Sequence, residues 1–196
     1  MERGLILKKG TIVNSTIISV PSSTKNKEKK RDPDAHQVKK GNTWHFGYKA
    51  HIGVDRDSGL VHTVEATAAN VHDATETSKL LTGDEDEVYG DSGYLGAEKR
   101  GDAIIRNKAG RKIKYRINRR PSQVKKLSKS GQYAAKKAEH AKSSVRAKVE
   151  HAFGVVKKQL RFRKTRYRGF EKQRAKFNIM FALANLILAD RPCLAA

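Results

Sequence analysis

Two acids, Asp91 and Glu150, have the residue type and the setting that phosphoryl-transfer chemistry needs. Asp91 closes the short run Glu87-Val-Tyr-Gly-Asp, and Gly93 just behind it lets the chain turn sharply, leaving the carboxylate at the edge of a sheet. Glu150 lies beside Val149 and Phe153 in a stripe of helical spacing. Arg146 four residues before it and Lys157 seven after it fall on the same predicted face. Carboxylates held against a core and flanked by bases can bind divalent ions that activate an attacking oxygen and stabilise a leaving one. On residue types alone a plainer reading stands beside this one. Asp91 is then a strand-end turn residue, and Glu150 is a surface partner of Arg146.

The surrounding pattern predicts strands first and helices after, an α/β or α+β layout. Gly10-Thr-Ile-Val-Asn-Ser-Thr-Ile-Ile-Ser19 is β-branched, bounded by Gly10 and Pro21, and reads as a buried strand. Residues 22–43 are almost free of apolar side chains and read as a long basic loop. Strict alternation follows, with Trp44, Phe46, Tyr48, Ala50, Ile52 and Val54 on one side and His45, Lys49, His51 and Asp55 on the other. Asp57-Ser-Gly59 is a turn, and Leu60 to Thr67 pairs back as a hairpin. A short helix is expected over Asn70 to Leu81, and another strand over Lys112 to Ile117.

From Ala138 the apolar positions Ala141, Val145, Val149, Ala152, Phe153, Val156 and Leu160 predict an amphipathic helix. A second helix is expected from Glu171 to Asp190, stopped by Pro192. Its segment from Phe177 to Ala189 is apolar except for Asn178 and Asn185. That is too short to cross a bilayer, so it should pack under the sheet. One domain over 1–190 with a tail at 191–196 is the expected organisation.

Charge points to the partner. Among the 196 residues the formal net charge is +22, and its distribution is lopsided. Residues 1–98 carry 13 Lys and Arg against 15 Asp and Glu, whereas residues 99–196 carry 29 against 5. Such a field favours polyanions through counterion release. The tract Arg161-Phe-Arg-Lys-Thr-Arg-Tyr-Arg168 alternates bases with aromatics and is expected to contact phosphates, with some stacking. For Lys49 and His51 two readings stay open: a solvated strand edge, or, because both fall in a block that carries the family resemblance described below, contact with the DNA backbone or active site. The seven histidines show no His-x3-His or similar spacing, and Cys193 is the one cysteine, so neither zinc nor a disulfide framework is expected. No apolar run of membrane-spanning length and no secretory signal is present, which predicts a cytosolic, nucleoid-associated protein.

Several blocks read together in order: Gly10-Thr-Ile-Val-Asn-Ser-Thr-Ile-Ile, Ser22-Ser-Thr-Lys-Asn-Lys, Arg31-Asp-Pro-Asp and Lys39-Lys-Gly-Asn. Phe46-Gly-Tyr-Lys-Ala-His-Ile-Gly-Val-Asp, Asn70-Val-His-Asp, Gly90-Asp-Ser-Gly-Tyr and Ser144-Val-Arg-Ala-Lys-Val-Glu-His-Ala-Phe continue the series. Over nearly the whole chain they resemble the catalytic domain of bacterial insertion-sequence DDE transposases, of the insertion-sequence-five type. The resemblance implies a ribonuclease H-like mixed sheet flanked by helices, with a basic helical C-terminal part. It also implies double-stranded DNA as partner, and an Asp-Asp-Glu triad using Mg²⁺ or Mn²⁺ to cut and join DNA strands.

By this resemblance Asp91 takes the place of the second Asp and Glu150 that of the Glu, both as metal ligands. Arg146, Glu150 and Lys157 fit the Arg-x3-Glu-x6-Lys part of the family's signature, whose Tyr is here Ser143. The first Asp is replaced by Asn14. An amide removes one negative charge from a site built for two dications, so a crippled active site is expected. Asp55 and Asp73 are the nearest alternatives, and neither stands at the matching position. Family members also carry an N-terminal helical region that this chain, by resemblance, lacks. The alternative function is therefore a catalytically inactive DNA-binding fragment that pairs with an intact transposase and interferes with it. A homodimer is the other partner considered. A basic RNA-binding protein satisfies the charge but not the ordered blocks.

Overall fold

The computed structural model describes residues 6, 9–25 and 27–189. Pro192, Cys193 and the 191–196 tail lie outside the described residues. The first strand, β1 (Gly10–Ser19), is built from the β-branched run read from sequence. β2 (His36–Lys40) and β3 (Thr43–Asp55) follow, then β4 (Val61–Ala68), β5 (Glu87–Gly90) and β6 (Lys114–Ile117). These six form one mixed sheet. β1 lies antiparallel to β3 and parallel to β5, and β5 lies parallel to β6. One edge of β3 carries β2 and then β4, both antiparallel to it.

The sheet is covered on both faces. Ile12, Ile18, Tyr48, Ala50, Ile52 and Val54 face the helices α2 (Lys129–Gly154) and α3 (Phe170–Ala189). Across this layer Phe153 meets Phe181 edge to face with ring centroids 6.2 Å apart. Val13 and Val88 belong to the opposite face, packed with Leu80, Leu81, Tyr94, Ile113 and Ile117. A short helix, α1 (Pro121–Lys125), precedes α2 and has no counterpart in the sequence reading. No helix among the described residues is long and apolar enough to cross a membrane.

Several expectations are corrected. The 22–43 segment is no bare loop, because it contains β2 and buries Asp32 and Ala35. Asp32 accepts a 2.8 Å hydrogen bond from the Tyr48 hydroxyl, which ties the segment to the core. Burial, and then Asp32 itself, hold that hydroxyl far above its ordinary titration range. The expected 70–81 helix is two 3₁₀ turns, Asp73–Glu76 and Ser78–Leu80. The amphipathic helix starts nine residues earlier than its apolar stripe, with Ser128 capping its first turn. It ends in a π turn over Val155–Gln159.

The apolar half of α3 buries one side only. Phe177, Met180, Phe181, Ala184 and Leu188 are covered, whereas Ile179, Leu183 and Leu186 face out. Asn185, one of the two polar interruptions, uses both ends of its amide on β4. Its oxygen accepts from the Val61 N–H at 2.8 Å, and its nitrogen donates to the Val61 carbonyl at 2.6 Å.

The central pairing is close enough to exclude side chains at chosen points. A Cβ at Gly47 would lie inside the van der Waals envelope of the Ile18 carbonyl oxygen, part of a backbone that cannot swing away. Gly101 has open space instead, with nothing within 4 Å of an added Cβ. Gly47→Ala should therefore cost about 2–3 kcal/mol in urea unfolding, and Gly101→Ala less than about 0.5 kcal/mol. Equal midpoints for the two variants would refute the close approach.

Candidate active site

Asp91 follows a closely packed glycine. At Gly90 an added Cβ would sit 2.9 Å from Ile117 Cδ1 and 3.1 Å from Tyr94 Cβ. β5 ends there, and Asp91 caps the 3₁₀ turn Ser92–Tyr94, its Oδ1 accepting the Gly93 N–H at 2.8 Å. The strand-end placement read from sequence is what the structure has.

Asn14 lies in β1 opposite Ile52. The parallel register pairs Ile12 with Tyr89, and continued two residues it brings Asn14, on the face that α2 covers, level with Asp91 just past the end of β5. The Asn14 Oδ1 is already engaged, accepting the Ser15 N–H at 2.8 Å.

α2 packs over both β1 and β5, so the helix bearing Glu150 does cross the two strands that carry Asn14 and Asp91. Glu150 itself is not held against the core. It is exposed, and its neighbour Val149 is the buried residue. Arg146 and Glu150 lie one turn apart on one face of α2. Arg146 turns toward Asn118, donating from Nη1 to Oδ1 at 3.1 Å. The Asn118 amide in turn donates to Glu139 and to Ser143, the position where the resembling family has Tyr. Lys157 falls within the π turn that follows α2. Burial lowers the Lys157 ammonium from its ordinary range, and the nearby Lys40 and Arg163 lower it further, against a raising influence from Glu150.

The opposite face of β1 and β3 holds a network where the sequence allows a solvated strand edge. Lys49 and His51 are buried, which overturns that reading. The Lys49 Nζ donates to the Val71 carbonyl at 2.7 Å and to Asp73 Oδ1 at 3.0 Å. Asp73 Oδ1 also accepts the Ser15 hydroxyl at 2.9 Å. The Thr67 hydroxyl donates to the Ala68 carbonyl, so His51 Nε2 must be the donor in its 2.8 Å bond to Thr67. That leaves the Nδ1 lone pair buried without a hydrogen bond, 3.7 Å from Asp73 Oδ1.

Asp73 thus stands closer to the site than its sequence position suggests. An added Cβ at Gly93 would lie 2.9 Å from Asp91 Oδ1 and 3.8 Å from Asp73 Oδ2, so both carboxylates border one small space. Tyr94 senses both: burial drives its hydroxyl well above the ordinary range, and Asp73 and Asp91 add to the effect. The Asn70-Val-His-Asp block holds the signal, but nothing in the sequence places it beside β1. Asp55, the other alternative, is absorbed by its hairpin, its Oδ2 accepting from Asp57 N–H and from the Ser58 N–H and hydroxyl.

The donor set can be compared with the needs of a pair of dications. Asn14 offers a neutral, engaged amide, and Asp73 is neutralised by Lys49. Among the described residues no three His, Cys, Asp or Glu side chains converge as a metal-binding group. These residues do not fit two dications.

The basic tract after α2 is partly anchored. Phe162 and Thr165 are buried, and Ser19 exchanges backbone hydrogen bonds with Arg163 and Thr165. Arg161, Arg163, Arg166 and Tyr167 are exposed, so Phe162 is removed as a stacking group and Tyr167 is kept. Arg168 is within 3.8 Å of Glu28.

A mixed sheet flanked by helices, with an acid at the end of an inner strand and a basic helical second half, defines an α/β domain. The chain belongs to the transposase DDE domain family, which it matches over residues 7–186. This is a family of nuclease and transposase chemistry. No solved structure matches the chain.

His51 supplies a pH test. Burial lowers it from 6.5 to about 4, opposed by Asp73 and Glu76 and reinforced by Lys49 and Lys79. Between those values the unfolded chain takes up a proton that the folded chain refuses. This stability is therefore complete above about pH 6.5 and is lost as pH falls toward 4. The loss assigned to this group is on the order of 2–3 kcal/mol. In urea unfolding from pH 7.5 to 4.5, His51→Gln should lose less stability than the parent. Identical slopes would place the titration elsewhere.

Proposed function

We infer that this chain is a transposase-type domain of the insertion-sequence-five group with a ribonuclease H-like fold, which binds duplex DNA through its basic second half. Cleavage and joining of strands by Mg²⁺ or Mn²⁺ is the reaction the family resemblance implies, with Asp91 and Glu150 as ligands and the cytosolic nucleoid as its place. In this chain that reaction is impaired. The observation carrying the inference is Asn14: it stands in β1, beside the strand that Asp91 follows, yet brings no charge. Without that carboxylate the chain's remaining competence is DNA binding. Asn14 equally favours the second reading, a catalytically inactive DNA-binding fragment that pairs with an intact transposase and interferes with it. Nicking of supercoiled plasmid with Mg²⁺ or Mn²⁺ separates the two.

Binding is expected through the exposed arginines. Affinity for duplex DNA should fall steeply between ~50 and ~200 mM salt, with little sequence preference. Changing Arg161, Arg163, Arg166 and Arg168 together to Gln should weaken binding and flatten the log–log salt slope by about one for each phosphate no longer neutralised. An unchanged slope would remove the tract from the interface.

The lesion has its own test. Asn14→Asp places a new carboxylate beside Asp91, so without metal the variant should melt slightly below the parent. With Mg²⁺ or Mn²⁺ its melting temperature should rise by mass action on the folded state, and the parent's far less. Glu150→Gln in the Asn14→Asp background should blunt the rise. Equal shifts in all three proteins would take position 14 out of any metal site.

A further inference from the structure

On one face of β3 the row Tyr48, Phe46, Trp44 runs out of the core. Tyr48 is buried, Phe46 is half-buried under the Arg31 guanidinium, and Trp44 is 63 % exposed. Trp44 is the chain's single tryptophan. It stands at the tip of the β2–β3 hairpin, paired across the strands with Lys39, while Lys40 pairs with Thr43 around a turn at Gly41. Burying an indole is strongly favourable, so an indole left in water on a short hairpin has a cost that a partner can recover.

Its surroundings say which partner. β2 is an exposed edge strand whose apolar content is Val38, too little for the apolar centre of a protein interface. Positive charge is abundant instead. Lys40 lies within electrostatic range of Lys157, as does Arg163, so the hairpin tip and the segment after α2 form one cationic surface. A flat aromatic among lysines matches the stacking platform of single-strand binders. Base faces are hidden in a duplex and available where the strands part.

We propose that the β2–β3 hairpin grips unpaired DNA, Trp44 stacking on a base while Lys39 and Lys40 neutralise the neighbouring phosphates. This rests on the DNA-binding reading above, and the test separates the two. The full chain is titrated with three dye-labelled DNAs of equal length: a paired duplex, a thymidine oligomer, and a wholly abasic oligomer. Anisotropy of the dye reports binding, and fluorescence of Trp44 reports stacking. The thymidine oligomer should quench Trp44 strongly, and the duplex and abasic DNA weakly at matched occupancy. Trp44→Ala should weaken thymidine-oligomer binding roughly five- to hundredfold. It should change duplex binding less than about twofold, and Trp44→Phe should recover most of the loss.

Because Trp44 is exposed, the variants should melt as the parent does, which circular dichroism checks. Binding of the thymidine oligomer without quenching, or an unchanged affinity in Trp44→Ala, would overturn the hairpin's role and leave the DNA-binding reading intact. Equal quenching by abasic DNA would overturn stacking. Tighter binding of a uridine RNA oligomer would overturn the choice of DNA, and binding of no nucleic acid would overturn both readings.

Discussion

The pairing of β1 with β3 is the constraint on which the rest depends. Nine residue pairs run from Thr11 opposite Asp55 to Ser19 opposite Gly47, and the strands are covered on both faces. Because side chains alternate, one residue separates two chemistries. Asn14 faces α2 and lies level with Asp91. Ser15, its neighbour, faces the other way into the Lys49–Asp73 network. A slip of one residue in this register would exchange the two. The closely packed glycines Gly47 and Gly53, each with a neighbouring carbonyl in the space a Cβ would take, work against such a slip.

Much of this is legible in the sequence because the inner elements obey simple periodicities. β1 and β3 are β-branched or alternating runs, Gly90-Asp91 marks a strand end, and the 3.6-residue stripe of α2 is clear. What escapes lies where local pattern is weak or overridden. β2 is an edge strand of polar residues held by β3, so its composition is that of a loop. Two 3₁₀ turns of three or four residues are too short to show a period, and a helical reading of 70–81 merges them. Lys49 and His51 occupy polar positions in an alternating strand. Their burial follows from the packing of the 71–81 segment over that face, and nothing in the strand itself announces it.

The site shows the same division. Asp91 is readable because a strand end and a glycine turn are local events, and its level position with Asn14 follows from sheet register. Glu150 reads as core-facing because its neighbours are apolar, yet a helix buries a narrow stripe and Val149 occupies it. Arg146 and Glu150 keep their four-residue spacing inside α2, and Lys157 lies in the π turn that follows. Asp73 does not stand at the matching sequence position, and only the tertiary fold brings it to Gly93 beside Asp91. Its charge is spent on Lys49 rather than left to a cation.

The Asn185 amide has a consequence for how copies of this domain meet one another. β4 is an edge strand, and an edge with open N–H and C=O groups invites pairing with a like edge. Asn185 presents one acceptor and one donor to Val61, the same two groups that a neighbouring strand would present. A single side chain from α3 thus imitates one residue of a seventh strand and occupies the start of the edge where β4 leaves its hairpin. In a cell crowded with partly folded chains, that protects against edge-to-edge aggregation, at the cost of one polar group in an otherwise apolar helix segment.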